Sequence, residues 1–514
     1  MPKSTYADVQ LEVDPGRPQT KRELNPGHPD RDTPFRMLVL GDFSGRASRG
    51  IAAKGPRKPV AVDRDNFEDV LESLNVQVRL PLQGGSPLDL FFHELDDFHP
   101  DKLFQRLPVF KKIRELREQL ETPETFAAAA RELGIGTGAP KTPAPAPPPV
   151  PTRREAGASL LGGSLLDQAL EATESRGAAA PSRSVDPMAH YLRSLVGPHL
   201  TPKPDPKKKE VMQQVDDATG GVMRSLLHHP LFQQVESAWR SLYFLIKELE
   251  TGPLLKVYLL DISRQELETD LAEADDLKTT ALYKVLVEQT VRTPGAHPWA
   301  LVVGAFDFGP DMSDLNLLAR MGLLARQAGA PFVAGGSAQL LGCKSLAKSP
   351  YPQDWKPGPE LEGWALIRSL PESKYLGLVA PRFLLRMPYG KTSEATEAFE
   401  FEEMPGTPDH ESYLWGNSAF VCAYLLGQMF TEFGWGMRGD EILTLHRLPM
   451  HVYKEDGEAK MTPCGEAFLS ETAMERMHEA GLMCLMSFAN SDQVRLAGFR
   501  SVSAGGDALA SRWG

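Results

Sequence analysis

The chain has 514 residues, 41% hydrophobic and 24% charged, with a formal net charge of −12. That length is too great for one ordinary core and the mixture is that of a soluble globular protein, so two or more domains are expected. The acidic balance argues against a nucleic-acid binder, which shows a basic face, and against electrostatic attachment to a membrane. Cys343, Cys422, Cys464 and Cys484 have no CxxC pairing and no histidine at zinc-finger spacing, and read as buried thiols. No apolar run approaches the ~20 residues of a membrane span. The N-terminus lacks the apolar region of a signal peptide, so a cytoplasmic protein is expected.

Tyr6–Val13 alternates, with Val9, Leu11 and Val13 on one face, and reads as a short strand. A lone strand cannot satisfy its own backbone, so it should join a sheet edge of its own chain or of a neighbour. Phe35–Phe43 is a buried-strand run ending in GDFSGR, Gly41–Arg46. A helix capped by Asp65 is expected to Leu74, then strands Val76–Leu80 and Leu88–Phe92, then one long helix His99–Leu120. Seven of the thirteen residues Ala139–Pro151 are proline, which favours a semi-rigid extended spacer. Low complexity continues to Asp186, broken by SLLGGSLLDQALEA at Ser159–Ala172. Leu165, Leu166, Ala169 and Leu170 share one face of a short helix there, either a stray turn or a helix that docks on a partner.

Helical order resumes over Met188–Leu200 and Val211–Leu227. Pro230 suits the first position of the next helix, in which Leu231, Val235, Trp239, Leu242 and Ile246 form an apolar stripe with Phe232, Ala238 and Leu245 beside it. Gln233, Gln234, Glu236 and Arg240 fall around the rest. Strands are expected at Leu254–Ile262, Trp299–Phe308, Pro331–Ala334, Lys374–Ala380, His446–Lys454 and Leu482–Phe488. Helices are expected at Leu282–Val291, Ser313–Ala328, Ser418–Phe433 and Ser470–Ala480. The alternation predicts the α/β class, with mixed sheets and covering helices.

Motifs for chemistry are weak. GDFSGR is too short for a phosphate-binding loop and lacks its lysine. The turn Gly335–Gly336–Ser337 is not the GxSxG of a nucleophile elbow. His228–His229 precedes Pro230 without HExxH, which favours helix-entry packing over metal binding. Glu94, Asp96, Asp97, Glu400, Glu402 and Glu403 read as surface or interface charge, because nothing marks a cleft that would hold two of them as an acid/base pair. Arg382, Arg386, Tyr389 and Gly390, with Tyr413, Trp415, Gly416 and Asn417, are residue types that dominate interfaces. They read as knitting loops together across the core, in preference to Asn417 and Arg382 holding a substrate anion.

The string LHHPLFQQVESAWRSLYFLI resembles the large subunit of the type VI secretion contractile sheath. The likeness continues through LLKVYLLDIS, ALVVGAFDFGPDMSDLNLLARM, GAPFVAGGSAQLLG, SKYLGLVAPRFLLRMPYG, EAFEFEE and DHESYLWGNSAFVCAYLL. Upstream, PFRMLVLGDFSGR, LDLFFHELDDFHPDKLFQRLP and KKIRELREQL resemble the small subunit of the same system.

The resemblance implies two sheath subunits in one polypeptide, with a strand and leash at 1–33, a small-subunit-like domain at 34–138, a linker at 139–187 and a large-subunit-like domain at 188–514. Fusion fixes their ratio at one to one and their effective concentration by the linker. Implied partners are further copies in a helical sheath, an inner tube protein, baseplate proteins and an AAA+ disassembly ATPase. Nucleic acid, membrane insertion, cofactor, metal and catalytic residue are not implied. Leu165, Leu166 and Leu170, in a helix at 164–172, correspond to the ATPase handle, and Val9, Leu11 and Val13 to a strand exchanged between protomers. Trp239, Arg240, Arg382, Arg386, Tyr389, Trp415 and Asn417 are the core or interface set. The likeness stops near Arg495–Ser503, whereas the family's large subunit continues into an arm segment, so a non-contracting adaptor, cap or baseplate-associated relative is the alternative.

Overall fold

The computed structural model describes residues 9–11, 29–52, 57–81, 87–122, 125, 208–272, 274–438 and 442–513. The expected linker, with Leu165, Leu166 and Leu170, the helix Met188–Leu200, and Val13 lie outside them.

In chain order the strands are β1 Val9–Leu11, β2 Phe35–Gly41, β3 Val60–Val62, β4 Val76–Leu80, β5 Leu88–Phe92, β6 Leu255–Asp261, β7 Leu301–Phe308 and β8 Phe332–Gly336. There follow β9 Leu376–Ala380, β10 Phe383–Leu384, β11 Trp415–Gly416, β12 Ile442–Leu445, β13 His451–Glu455, β14 Glu458–Thr462, β15 Met483–Ser487 and β16 Val494–Ala497. The main helices are α1 Phe67–Ser73, α2 Pro100–Arg106, α3 Pro108–Glu121, α4 Lys208–Leu227 and α5 Pro230–Lys247. Beyond them lie α6 Arg264–Ala272, α7 Met312–Ala328, α8 Glu362–Ser369, α9 Ala419–Phe433 and α10 Glu471–Glu479.

Ten strands form one mixed sheet in the order β1-β12-β16-β15-β9-β8-β7-β2-β6-β3. The six strands from β15 to β6 are parallel, flanked by antiparallel strands on both sides. Strand β2 alternates across it: Phe35, Met37 and Val39 enter one core, and Leu38 and Leu40 the other. Helices α3, α4, α5 and α9 supply the first core, and α6, α7, α8 and α10 the second. Burial on both faces is what a parallel sheet requires, and it explains the nearly unbroken apolar run of β2.

That strand belongs to the N-terminal segment, yet it pairs with β6 along seven positions, Phe35↔Leu255 to Gly41↔Asp261, and with β7 from Met37↔Leu301 to Leu40↔Gly304. The remainder of the N-terminal segment packs on the first core only, through the β4–β5 ribbon, α1, α2 and α3. The two segments therefore share a sheet as well as a surface.

Several expectations shift. The long helix His99–Leu120 is two helices, because Leu107 turns extended (φ −78°, ψ 135°) before Pro108, as a residue preceding proline prefers. Helix α1 begins at Phe67 with no side-chain cap; Asp65 is not its cap. Leu282–Val291 is one α-turn, Ala281–Tyr283, followed by π-winding over Lys284–Val291. His446–Met450 is irregular, and the expected strand starts at His451. Strand β1 pairs with β12 of its own chain, Val9↔Leu445 to Leu11↔Leu443.

Removing β2 would leave β6 and β7 about 9.6 Å apart, two strand spacings. Residues 1–138 and 188–514 expressed as separate chains in one cell are expected to co-elute as a one-to-one complex, and 188–514 alone to aggregate. Size-exclusion chromatography with light scattering checks this; a soluble, cooperatively melting 188–514 monomer is the contrary result.

Candidate functional site

The GDFSGR turn after β2 fastens the two segments. Asp42 accepts the backbone N–H groups of Arg46 (2.9 Å) and Ala47 (2.8 Å), shaping the turn. Gly45 has φ +69°, and a Cβ on it would lie 2.3 Å from the Gln77 carbonyl oxygen, so only glycine fits. The turn aims Arg46 across the sheet, where it pairs with Asp261 at the end of β6 and, at 3.0 Å, with Glu266. Arg57 reaches the same Glu266 at 3.2 Å. From the other side Trp239 of α5 donates its indole N–H to the Phe43 carbonyl at 2.8 Å, with Phe43 and Phe67 edge-on to its ring.

Beneath α5 lies an ionic network closed to water. Glu236 is 0% exposed, Arg386 5% and Glu403 1%. Arg386 donates from Nε to Glu236 (3.0 Å) and from Nη1 and Nη2 to the two oxygens of Glu403 (2.7 and 3.0 Å). Arg240, one turn on from Glu236, donates to it at 2.7 Å and reaches the Tyr389 hydroxyl at 3.2 Å. The Tyr389 N–H donates to Glu403 at 2.8 Å, and the Arg386 guanidinium lies 4.3 Å from the Tyr389 ring centroid. His228 adds its Nε2 at 3.4 Å from Glu403, while His229 accepts the Leu231 N–H at the start of α5. Burial favours the neutral carboxyl of Glu403, but Arg386, His228 and the Tyr389 N–H prevail and hold its pKa down to about 2. Burial opposes the charge on Arg386 too, yet Glu236 and Glu403 raise its pKa.

A second network sits at the carboxyl ends of β7 to β9. Arg382 forks onto Glu466 at 2.6 and 3.1 Å, and His410 Nε2 lies 3.1 Å from the same carboxylate. Despite burial, the His410 and Arg382 contacts hold Glu466 down to about 2. Trp415 donates to the His410 carbonyl and accepts from Ser237 through its own carbonyl. Asn417 donates to the Phe306 carbonyl and Asp307, and accepts the Ala419 N–H as α9 begins.

The expected set thus falls into three places. Arg240, Arg386 and Tyr389 share the first network; Arg382, Trp415 and Asn417 gather at the second; Trp239 stands at the GDFSGR turn. Sequence reasoning missed Glu236, Glu466 and His410, and it read Glu403 and Asp97 as surface or interface charge, whereas both are buried within the chain. Asp97 is held by the His93 N–H and by Arg106. Glu236 carried one signal: it stands four residues before Arg240, next to the apolar stripe. Among the described residues no group of three or more His, Cys, Asp or Glu is placed to hold a metal, and no helix is long and apolar enough to cross a membrane.

A doubly wound α/β sheet completed by a strand from the other end of the chain, with its charged residues spent on one another at the joints, defines a protein of two interlocked segments. The family model for VipB, the EvpB-type tail sheath N-terminal domain, matches residues 209–503, and that for VipA of the type VI secretion system matches residues 20–130. The chain belongs to the type VI secretion tail-sheath family, as a fusion of a small-subunit-like segment to a large-subunit-like one. It is similar to the Pseudomonas aeruginosa type VI secretion system sheath protein TssC1, with 30% identity over 306 residues, 57% of this chain and 61% of that protein. It is also similar to the sheath protein TssB1 of the same organism, with 32% identity over 99 residues, 18% of this chain and 58% of that protein. The chain thus spans about three fifths of the length of each relative.

Arg386→Met would take from the buried Glu403 its arginine fork and leave the buried Glu236 with Arg240 alone, at a cost of about 3–5 kcal/mol. Urea unfolding is expected to show the midpoint falling accordingly; an unchanged midpoint would contradict the network's role. Acid acts on the same groups. A carboxyl with a lower pKa folded than unfolded adds stability that is complete above the unfolded value, about 4.3, and drains away as pH falls toward 2. Glu403 accounts for about 3 kcal/mol of this on that reckoning. Between pH 4.5 and 3 the urea midpoint is expected to drop, with a shallower drop in Glu403→Gln.

Proposed function

We propose that the chain is a structural subunit of a type VI secretion contractile sheath in the bacterial cytoplasm. Copies polymerise around an inner tube protein and drive it outward as the lattice shortens. The observation that carries this reading is β2 seated between β6 and β7, which makes the two sheath-like segments one wall unit. The energy comes from a lattice with two packings, one lower in free energy, released by a trigger. No bond-making step is needed from the chain, and it is not an enzyme. Pairing of Arg382, Arg386, Glu236, Glu403 and Glu466 within the protein accords with that.

Further partners follow from the same reading. Baseplate proteins receive one end of the polymer. A helix at 164–172 offers Leu165, Leu166 and Leu170 to an AAA+ disassembly ATPase. In the lattice the strand of Val9, Leu11 and Val13 leaves β12 of its own chain and joins a neighbouring protomer. Domain limits at 34–138 and 188–514 divide the chain by resemblance, while its sheet crosses them.

A second reading is a non-contracting adaptor, cap or baseplate-associated relative that copolymerises with an ordinary sheath or terminates it. The pairing of Val9–Leu11 with Ile442–Leu445 of the same chain favours it, because that edge is already covered without a neighbour. Negative-stain microscopy of the purified protein separates the two. Long hollow tubules with a cogwheel section are expected for the sheath; discrete rings or monomers at all concentrations would support the adaptor and exclude self-assembly into a sheath.

A further inference from the structure

Strands β13 and β14 form a hairpin of their own, outside the ten-stranded sheet. Asp456 and Gly457 make its turn with φ +52° and +85°, the left-handed pair of a two-residue type I′ loop. The residues flanking such a loop, here Glu455 and Glu458, exchange both of their backbone hydrogen bonds. Antiparallel pairing then alternates along the strand, so Glu455, Tyr453 and His451 bond inward to β14. Val452 and Lys454 direct their N–H and C=O groups the other way. Among the described residues, no group donates to or accepts from these four.

This free edge borders a groove of about 400 Å³, walled on its far side by Pro388, Thr392, Ser393 and Met404. The near wall is made by four successive residues, His451 to Lys454. Their side chains alternate between two faces of the hairpin, so all four border one groove where it runs along the strand's edge. Ala459, opposite Lys454 on β14, borders it as well.

Both walls are fixed in place. At the base of the hairpin the Tyr413 hydroxyl bonds His451 Nδ1 (2.8 Å) and Thr462 (2.7 Å). Opposite, Tyr389 donates its N–H to Glu403 in the buried arginine network, and the Ser393 hydroxyl donates to the Pro388 carbonyl. The groove is therefore preformed. Its surroundings are acidic: residues 391–411 carry six exposed carboxylates against one lysine, and Glu402 of that set lines the groove. Val452, 55% exposed, and the half-buried Met404 supply apolar surface between the charges.

We propose that this groove receives a short, extended, positively charged segment of another protein, added to β13 as a third strand. The backbone of that segment pairs with the outward groups of Val452 and Lys454. Its apolar side chains rest on Val452 and Met404, and its basic ones meet Glu402 and the carboxylates around it. Pairing along an edge supplies affinity whatever the side chains, and the sign of the charge selects among extended segments.

The test titrates the full chain by calorimetry with an acetylated, amidated hexapeptide that alternates lysine and valine. Binding is expected. The same peptide N-methylated at every amide keeps its side chains but has no N–H to offer, and should bind about tenfold more weakly. Lys454→Pro removes one outward N–H while leaving the bonds to β14, and should cost a similar factor. A glutamate–valine hexapeptide should also bind about tenfold more weakly. Failure of the lysine–valine peptide to bind the wild type would overturn the proposal, as would equal affinity for the N-methylated or the acidic peptide. Unchanged affinity in Lys454→Pro would place the binding elsewhere and reject it. Light scattering covers the remaining occupant: if the peptide dissociates oligomers of the chain, the groove belongs to a second copy and the proposal falls.

Discussion

The structure depends on one strand hydrogen-bonded along both edges by a part of the chain more than two hundred residues away. Phe35–Gly41 contributes side chains to both cores, so neither face of the sheet is complete without it. A surface contact between two domains can slip or detach while each side keeps its own core. A central parallel strand cannot, because removing it exposes two rows of backbone donors and acceptors and opens both cores. The segments consequently form one cooperative body over most of the described residues.

Buried charge is concentrated where separate stretches of chain meet. Arg46 ties the end of β2 to the end of β6, Arg386 ties α5 to the loop around Tyr389 and Glu403, and Arg382 ties the end of β9 to Glu466. A buried ion pair adds little net stability compared with well-packed apolar groups, but a misplaced partner is costly. Such pairs therefore fix relative position more than they add cohesion. Where many doubly wound sheets admit a ligand beyond the carboxyl ends of their strands, this sheet pairs Arg382 and His410 with Glu466, and Asn417 with Asp307.

The sequence made the fold class legible because the apolar runs of β2, β6, β7 and β9 are long and bounded by turn residues. The stripe of α5 named its buried face at Val235, Trp239, Leu242 and Ile246, with Phe232 and Leu245 beside it, while Leu231 and Ala238 are only partly buried. Local pattern cannot say which strands are neighbours, so the insertion of β2 between β6 and β7 was out of reach. Nor can it separate a buried carboxylate from an exposed one: Glu402 and Glu403 are adjacent, yet one faces solvent and the other fills an arginine fork. Strand β14 escaped notice because Glu458, Ala459 and Lys460 are exposed and give no apolar alternation to read.

The order of synthesis gives β2 one more consequence. It leaves the ribosome about 220 residues before its first sheet partner, β6. At bacterial elongation rates of about 5–20 residues per second, that is a delay of roughly 10–40 s. Throughout it, seven residues that end nearly wholly buried have no strand on either side. Nascent chains of this protein must keep that stretch from pairing with its counterpart on a neighbouring polysome.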